Sequence, residues 1–240
     1  MTATWWKSSL PLGAAEGAVV SNLDLSLYVV LDPRLMAGRP LLDVARAALR
    51  GGATVLQLRD KEAAAPALVA SAEALAALAH ALGARFVIND HVDIAAVVDG
   101  TGVHLGPDDQ AVTAARALLG PEALIGFSAG TPAEARDAAR AGADYLGTGA
   151  VYATSSKADA GAPIGVDGLE RVVRATDVPV VAIGGVTPGR AAPCIRAGAA
   201  GVAVITAVTL APHVADAARA LRDEVETARS GRAARARPWR

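Results

Sequence analysis

The chain switches eight times between a short β-branched segment and a longer alanine-rich segment. Short runs of Val, Ile and Leu are typical of strands buried on both faces, whereas the alanine-rich segments have helical spacing. The predicted strands are residues 27–31, 53–58, 84–89, 101–105, 123–127, 144–148, 178–184 and 200–205. The predicted helices are residues 40–50, 65–82, 91–98, 110–119, 131–141, 167–176, 187–197 and 212–229.

The joins between helices and strands narrow the choice of fold. Three of them, "RGGATVLQL", "RAGADYLGT" and "RAGAAGVAVI", read as a helix end, a Gly and then a strand. Repeated short joins indicate a parallel sheet with right-handed crossovers. Eight such units in about 205 residues predict a single α/β domain, an eight-stranded parallel (β/α)8 TIM barrel. The alternative is a doubly wound open sheet, but no Gly-x-Gly-x-x-Gly follows the first strand.

The composition argues against several classes of protein. The net charge of −1 gives no reason to expect a nucleic-acid partner. No apolar run approaches the roughly 18 residues of a membrane span, and no signal-peptide stretch opens the chain. Cys194 is the single cysteine, which excludes an internal disulfide framework and fits a reducing compartment. We therefore expect a cytoplasmic protein with neither nucleic-acid nor membrane partners.

The two ends differ from the alternating middle. Residues 1–23 mix Gly, Ser, Pro and two tryptophans without a period, and we expect a poorly ordered N-terminal arm. Residues 24–229 are predicted to form the barrel domain. Residues 230–240 are rich in Arg and are predicted to be a basic C-terminal tail, either solvated or a weak binder of anions.

Polar residues collect where the predicted strands end, which is where TIM barrels place their active sites. Gln57, Arg59 and Lys61 alternate at the end of strand 2 and therefore share one face. The other polar residues at strand ends are Asn89, Asp90, His104, Asp108, Asp109, Ser128, Thr154, Ser155, Ser156 and Lys157. Strand 7 ends in the glycine-rich "IGGVTPG" and strand 8 in "VITAV".

The chemistry of this set suits anionic ligands. Arg59, Lys61 and Lys157 are cations that match phosphate oxygens. Asp90 and Asp109 are hard oxygen donors, and two carboxylates beside several cations suit Mg²⁺ bound jointly with substrate phosphates. The glycines after strand 7 offer backbone N–H groups, and the loops after strands 7 and 8 are the usual phosphate site of a barrel. We therefore expect one phosphate there and a second, metal-bound phosphate group near strands 2 to 4.

Several of these residues have a structural alternative. Arg59 could form an ion pair with Asp32 or Asp60 rather than bind a ligand. Asp108 and Asp109 could cap the helix that follows them, and Asn89 could cap the helix from His91. His104 lies between apolar neighbours, which favours a core or rim histidine over a catalytic one, and Cys194 is predicted to pack inside a helix.

The segments "QLRDK", "INDHVDIA", "DGTGVHLGPDD", "GFSAG", "GADYLGTGAVYATSSK", "VVAIGGVTP" and "GVAVITAV", in this order, resemble the thiamine-phosphate synthase family, also called thiamine-phosphate pyrophosphorylase. The resemblance covers roughly residues 25–226. It implies a transferase of (β/α)8 fold that joins 4-amino-2-methyl-5-(diphosphooxymethyl)pyrimidine to a thiazole phosphate or its 2-carboxy form and releases pyrophosphate. Both substrates are small molecules, and the oligomeric state, a homo-oligomer included, stays open.

The resemblance also implies a role for each site residue. Gln57, Arg59 and Lys61 would receive the pyrimidine and its diphosphate, with Asn89 and Lys157 as further diphosphate ligands. The remaining roles are Mg²⁺ ligands for Asp90 and Asp109, proximity to the reacting groups for Ser128, and the thiazole phosphate pocket for Thr154, Ser155, Ser156, Gly185, Ile205 and Thr206. Catalysis would rest on Arg59, Lys61, Ser128 and Lys157 and on Mg²⁺, which stabilise charge on pyrophosphate as it departs dissociatively.

Two departures from the family pattern leave alternatives open. Gly130 stands where many relatives have His, and Pro107 stands where Gln is common. The alternatives are a paralogue of the thiazole tautomerase kind and a thiamine-precursor binding protein without turnover. The first looks to rely on the histidine that Gly130 replaces, and the second would not need the two carboxylates. A phosphate-binding barrel of the tryptophan pathway would share only "IGG" and the strand 8 loop.

Overall fold

Eight parallel strands close into a barrel in the computed structural model, which describes residues 23–157 and 161–235, with side chains described as far as residue 232. The strands are β1 (Leu27–Leu31), β2 (Val55–Leu58), β3 (Arg85–Asn89), β4 (Thr101–Leu105), β5 (Ile125–Ser128), β6 (Tyr145–Thr148), β7 (Val180–Ile183) and β8 (Gly201–Val204). They neighbour one another in chain order, and β1 also pairs with β8, so the predicted barrel is confirmed and the open-sheet alternative is wrong.

Helices follow the strands and cover the outside of the barrel. They are α1 (Leu41–Arg50), α2 (Ala65–Ala81), α3 (Val92–Val97), α4 (Val112–Leu119), α5 (Pro132–Arg140), α6 (Gly165–Val173), α7 (Ala191–Arg196), α8 (Thr206–Thr209) and α9 (Val214–Arg235). A short 3-10 helix, Pro33–Leu35, follows β1. In the described part of the chain, no helix is long and apolar enough to cross a membrane.

Two buried layers follow from the alternation along each strand. One face of the strands packs against the helices, as for Leu56 and Phe86, in the larger core. The other face fills the barrel interior with a smaller cluster of Tyr28, Val30, Val55, Val87, Tyr145, Val181 and Ala203. Because all eight strands are parallel, their carboxyl ends meet at one end of the barrel, where the polar residues predicted for the site also lie.

Helix boundaries differ from the prediction more than strand boundaries do. Every strand end lies within two residues of its predicted position. The helix predicted from residue 187 begins only at Ala191, because Gly189 adopts a φ of 87° in a turn. Cys194 is buried in this helix, as expected.

The last helix runs further than the sequence indicated. α9 continues to Arg235, six residues into the segment predicted as a tail, and residues 236–240 lie outside the described residues. Arg229 donates to the side chain of Ser26 and to the carbonyl of Ala200, and Arg232 Nη1 donates to the carbonyl of Ile195 at 3.3 Å. These arginines bind the helix to the barrel, so the basic character does not by itself mark a solvated segment. The predicted N-terminal arm, 1–23, falls outside the described residues except for Leu23.

Candidate active site

A cavity of about 310 Å³ opens at the carboxyl end of the barrel strands. Its volume is in the range of small-molecule sites. Ten of the predicted substrate-binding residues line it: Gln57, Arg59, Asn89, Ser128, Thr154, Ser156, Lys157, Gly185, Ile205 and Thr206. Lys61, Ser155, Asp90 and Asp109 are not among the lining residues. Lys61 lies beside Asp90, and Ser155 is exposed.

A buried carboxylate holds Arg59 at the cavity wall. Asp32 follows β1, and its fully buried Oδ2 accepts from Arg59 Nη1 at 2.6 Å and from Arg34 Nη2 at 2.9 Å. Burial alone would raise the pKa of Asp32, but the hydrogen bonds and charge of Arg34 and the hydrogen bond of Arg59 outweigh it and hold that pKa below its usual range. The ion pair that the sequence offered as an alternative role is therefore present, and the paired Arg59 also lines the cavity.

Asp90 and Asp109 are close enough for their side chains to share a hydrogen bond. Asp90 has a φ of 67°, a left-handed conformation that Asp tolerates better than most residues. Burial, together with the hydrogen bond and negative charge of Asp109, raises the pKa of Asp90, and only Lys61, 3.6 Å away from Nζ to Oδ2, opposes this. Asp109 Oδ2 also accepts from the Gly106 N–H at 2.6 Å, which fixes the second carboxylate.

This carboxylate pair fits Mg²⁺ by its chemistry. Asp109 raises the pKa of Asp90, and a bound cation would remove the repulsion between the two carboxylates. No group of three or more His, Cys, Asp and Glu that could hold a metal occurs in residues 23–157 and 161–232. Mg²⁺ commonly takes only one or two carboxylates and completes its shell with water and substrate phosphates. Asp90 and Asp109 would therefore hold the ion together with a phosphorylated ligand.

The capping roles considered for three residues are wrong. α4 starts after Ala111 and receives no side-chain cap, so neither Asp108 nor Asp109 caps it. α3 starts after His91, also without a side-chain cap, so Asn89 is not a cap.

The loops after β6, β7 and β8 form the other side of the cavity. Ser156 Oγ lies 3.4 Å from Thr206 Oγ1, and the Ser156 N–H donates to Thr154 Oγ1 at 3.2 Å. α8 begins at Thr206 directly after β8, in the position of the short extra helix that contributes to barrel phosphate sites.

Gly185 has a packing reason to be glycine. Its φ is 65°, and a Cβ there would lie 2.5 Å from the Ala153 carbonyl oxygen. The sequence interpretation linked this glycine to the approach of a phosphate. The structure adds the close contact between the loops after β6 and β7, so an alanine at this position would shift the loop rather than report on a ligand.

A chain of hydrogen bonds lies in the barrel interior below the cavity. Gln57 Nε2 donates to Tyr28 Oη at 2.9 Å, and the two tyrosine hydroxyls, of Tyr28 and Tyr145, are 2.8 Å apart. His104 Nδ1 lies 3.1 Å from Tyr145 Oη, and its Nε2 lies 3.0 Å from Ser128 Oγ. Burial lowers the pKa of His104 to about 4, against the opposing effect of Asp109, so the imidazole is neutral near pH 7.

Four residues of the site were missed or undervalued by the sequence. Asp32 follows a strand and could have been found by the rule that located the others. Tyr28 and Tyr145 gave no signal, because interior and exterior faces of parallel strands are both apolar. Glu134 lines the cavity and accepts from the N–H groups of Gly130 and Thr131 in a capping box, so a carboxylate occupies the wall beside Gly130.

Comparisons with known proteins agree on one family. The family model described as thiamine monophosphate synthase matches residues 27–208. The thiamine-phosphate synthase of Moorella thermoacetica is 51% identical over 203 residues, which cover 85% of this chain and 97% of that protein. The thiamine-phosphate synthase of Xanthobacter autotrophicus is 50% identical over 206 residues, with 86% and 98% covered.

Solved structures give the same result at the level of the fold. Thiamine phosphate pyrophosphorylase from Pyrococcus furiosus superposes with a TM-score of 0.78 at 38% identity, over 86% of this chain and 98% of that one. A tryptophan synthase structure from Mycobacterium tuberculosis, at 18% identity and a TM-score of 0.64, shares the barrel alone. The chain therefore belongs to the thiamine-phosphate synthase family and is a transferase of thiamine biosynthesis.

Proposed function

We propose that the protein joins 4-amino-2-methyl-5-(diphosphooxymethyl)pyrimidine to a thiazole phosphate, carboxylated or plain, in a Mg²⁺-dependent reaction that releases pyrophosphate and, from the carboxylated form, also CO2. The observation that carries this proposal is the division of the site. Arg59 and Asn89 line the cavity where β2 and β3 end, and Asp90, the residue after Asn89, lies beside Asp109 and Lys61, whereas hydroxyls and glycines line the cavity where β6, β7 and β8 end. A diphosphate with a metal suits the first side, and a monophosphate suits the second.

The proposed reaction breaks the bond between the pyrimidine methylene carbon and the diphosphate oxygen, and the electron pair leaves with pyrophosphate. The amino-substituted ring delocalises the positive charge that remains, and the thiazole nitrogen then attacks the same carbon once it is held nearby. Arg59, Lys61 and Lys157 stabilise the charge that grows on the leaving group. Mg²⁺ held by Asp90 and Asp109 would add positive charge at the diphosphate.

The direct test mixes both substrates with the purified protein and Mg²⁺ and measures thiamine phosphate by chromatography. We expect product only when both substrates and Mg²⁺ are present, with an equal amount of pyrophosphate. Isomerisation of the thiazole alone, without coupling, would instead support the tautomerase alternative. Binding of the thiazole phosphate without either reaction would support the alternative of a thiamine-precursor binding protein without turnover.

Removing one cation from the β2 side should lower the rate of bond cleavage. Lys61→Ala deletes an ammonium whose partner charge grows in the transition state, so kcat should fall about ten- to a hundred-fold, as expected for a charge-assisted contact of about 1.5–3 kcal/mol. Lys61→Arg keeps the charge and should recover part of kcat. Steady-state kinetics with each substrate varied in turn measures this, and an effect confined to the thiazole phosphate would contradict the assignment.

Removing one hydroxyl from the opposite side should weaken binding instead. Thr206→Val keeps the shape of the side chain and deletes one neutral hydrogen bond, worth about 0.5–1.5 kcal/mol, so KM for the thiazole phosphate should rise about two- to ten-fold. Thr206→Ser retains the hydroxyl and serves as the matched control. If Thr206→Val changed KM only for the pyrimidine diphosphate, the two sides of the site would be the reverse of those proposed.

A further inference from the structure

The hydrogen bonds in the barrel interior join Gln57 and Ser128 through two buried tyrosines and through His104, which also lines the cavity. Gln57 and Ser128 line the cavity, and Tyr28, Tyr145 and His104 connect them in that order. Tyr28 and Tyr145 are almost completely buried. Each hydrogen-bonding group inside the series thus faces another group of the same series. Only Gln57 and Ser128 have hydrogen-bonding capacity left for a ligand in the cavity.

The barrel makes room for this series with glycines. Gly126 of β5 stands opposite Tyr145 in the strand register, and a Cβ on it would lie 2.1 Å from the tyrosine Cζ. A Cβ on Gly147 would lie 3.1 Å from His104 Cε1. β5 and β6 therefore carry glycine where the rings of Tyr145 and His104 pass, because a side chain at either position would crowd these rings.

The number of protons on each group decides which partner donates in each hydrogen bond between Gln57 and Ser128. Burial raises the pKa of both tyrosines, so each hydroxyl carries one proton, and an imidazole that accepts at one ring nitrogen carries its proton on the other. Tyr28 Oη accepts from Gln57 Nε2, so its own proton goes to Tyr145. The Tyr145 proton then goes to His104 Nδ1, and the imidazole proton lies on Nε2 and goes to Ser128 Oγ.

The two ends are consequently coupled. With all bonds running from Gln57 to Ser128, the cavity meets the Gln57 Oε1 acceptor and the Ser128 hydroxyl proton as a donor. The Gln57 amide can turn over only if every other bond in the series reverses with it, after which the cavity would meet a Gln57 N–H and a Ser128 lone pair. Any mixed arrangement puts two donors or two acceptors face to face in a buried site, which is unfavourable.

We propose that Tyr28, Tyr145 and His104 are positioning residues that lock Gln57 as an acceptor and Ser128 as a donor, and so select a heterocycle with an exocyclic amino group over its oxo counterpart. This inference rests on the proposed function, because the amino group is that of the pyrimidine diphosphate. An amino group donates to Gln57 Oε1, whereas an oxo group presents a second acceptor there. A freely turning Gln57 would accommodate either, so the selectivity resides in the residues behind it.

The first experiment determines, in the unmodified protein, in which direction the hydrogen bonds between Gln57 and Ser128 run. A two-bond ¹H–¹⁵N correlation spectrum distinguishes the tautomers of neutral histidine, and the chain has only four histidines. A His104→Gln variant identifies the signal of His104. We expect the Nε2–H tautomer near pH 7, and the Nδ1–H tautomer would overturn the proposed direction.

The second experiment measures selectivity. The probes are the aminopyrimidine diphosphate and its 4-oxo analogue, and the quantity is the ratio of their kcat/KM values. We expect Tyr28→Phe and Tyr145→Phe each to reduce this ratio about ten-fold while KM for the thiazole phosphate changes less than two-fold. The double variant should lose little more than either single one, because both hydroxyls belong to one hydrogen bond.

Tyr152→Phe is the matched control. Its hydroxyl donates to the Arg190 carbonyl at 3.1 Å, outside the series, so its ratio should equal that of the unmodified protein. A structural role alone would lower the melting temperature of the Tyr28 and Tyr145 variants and leave the ratio unchanged, which would overturn the inference. If the unmodified protein formed no thiamine phosphate at all, the proposed function would fail instead, and the tautomer measurement would still decide the direction of the hydrogen bonds.

Discussion

An Asp109→Asn variant should fold normally and lose at least about a hundred-fold in kcat. The substitution keeps the shape of the side chain and the bond from the Gly106 N–H, but it removes one of the two charges that fit Mg²⁺. A metal ion contributes several kcal/mol of transition-state stabilisation, and each 1.36 kcal/mol corresponds to about ten-fold in rate. Initial rates of thiamine phosphate formation over a Mg²⁺ titration measure the loss, and added Mg²⁺ should restore only part of it.

Asp108→Asn provides the control for this variant. Asp108 is the exposed neighbour in the same loop and caps no helix, so its variant should retain near-normal kcat. If Asp109→Asn turned over at the normal rate when Mg²⁺ was limiting, the carboxylate pair would not be the metal site.

Asp90→Asn separates the metal role from folding. In the presence of a chelator, this variant should melt higher than the unmodified protein at pH 7, because it removes a negative charge that burial and Asp109 destabilise. Each kcal/mol of relieved repulsion would add about 2–4 °C for a chain of this size. Its kcat should nevertheless fall as in Asp109→Asn. Gains in stability accompanied by loss of activity are expected where like charges are held together for a ligand.

Asp32→Asn should cause the largest loss of stability among these variants. It leaves Arg59, whose side chain is only 12% exposed, without its carboxylate, and breaking a buried pair from one side costs about 3–5 kcal/mol. Because Arg34 is partly solvated, we expect about 3 kcal/mol, or roughly 6–12 °C in melting temperature. Activity should fall too, since Arg59 loses the group that holds it at the cavity. Urea unfolding and kinetics on one preparation measure both effects.

The pH dependence of this effect has a fixed sign. The folded-state pKa of Asp32 is lowered, so its contribution to stability is fully present above the unfolded pKa of about 3.9 and disappears as pH falls through the folded value. The deficit of Asp32→Asn should therefore be constant near neutrality and shrink in strong acid. Asp137→Asn, which breaks the exposed pair of Asp137 and Arg140, should change stability by less than about 0.5 kcal/mol. Equal losses of stability in the two variants would mean that the buried ion pair contributes no more than the exposed one.

The barrel was predictable because its signals are local and repeated. Glycine-marked joins and short apolar runs located all eight strands to within two residues. The short helix α8 was missed, since four residues are too few to show a helical period and its Thr and Val residues read as more strand. The extension of α9 beyond residue 229 was missed for a different reason, because Arg232 finds its partner, the carbonyl of Ile195, on a distant part of the chain.

Site residues at the ends of strands were predictable. Residues that belong to the site because their side chains point into the barrel were less so. Ten predicted residues line the cavity because the carboxyl ends of barrel strands converge. Which of two apolar faces turns inward is not encoded in a strand's own alternation, so Tyr28 and Tyr145 could not be distinguished from ordinary core residues. Likewise, ligand binding and ion pairing were treated as competing roles for Arg59, whereas the folded chain places its ion pair and the cavity wall together.

The seam between β1 and β8 has a consequence for the connectivity of the backbone. Leu27 pairs with Val202 there, and below the seam Asp24 forms ion pairs with Arg222 and Arg229 of α9. Noncovalent contacts alone thus join the first strand to the last, on the side of the barrel away from the cavity. A circular permutant that links residues 23 and 235 through a flexible spacer and opens the chain at the exposed turn of Gly83 should therefore close into the same barrel. The order of the eight units along the gene would then be an accident of descent rather than a requirement of the fold.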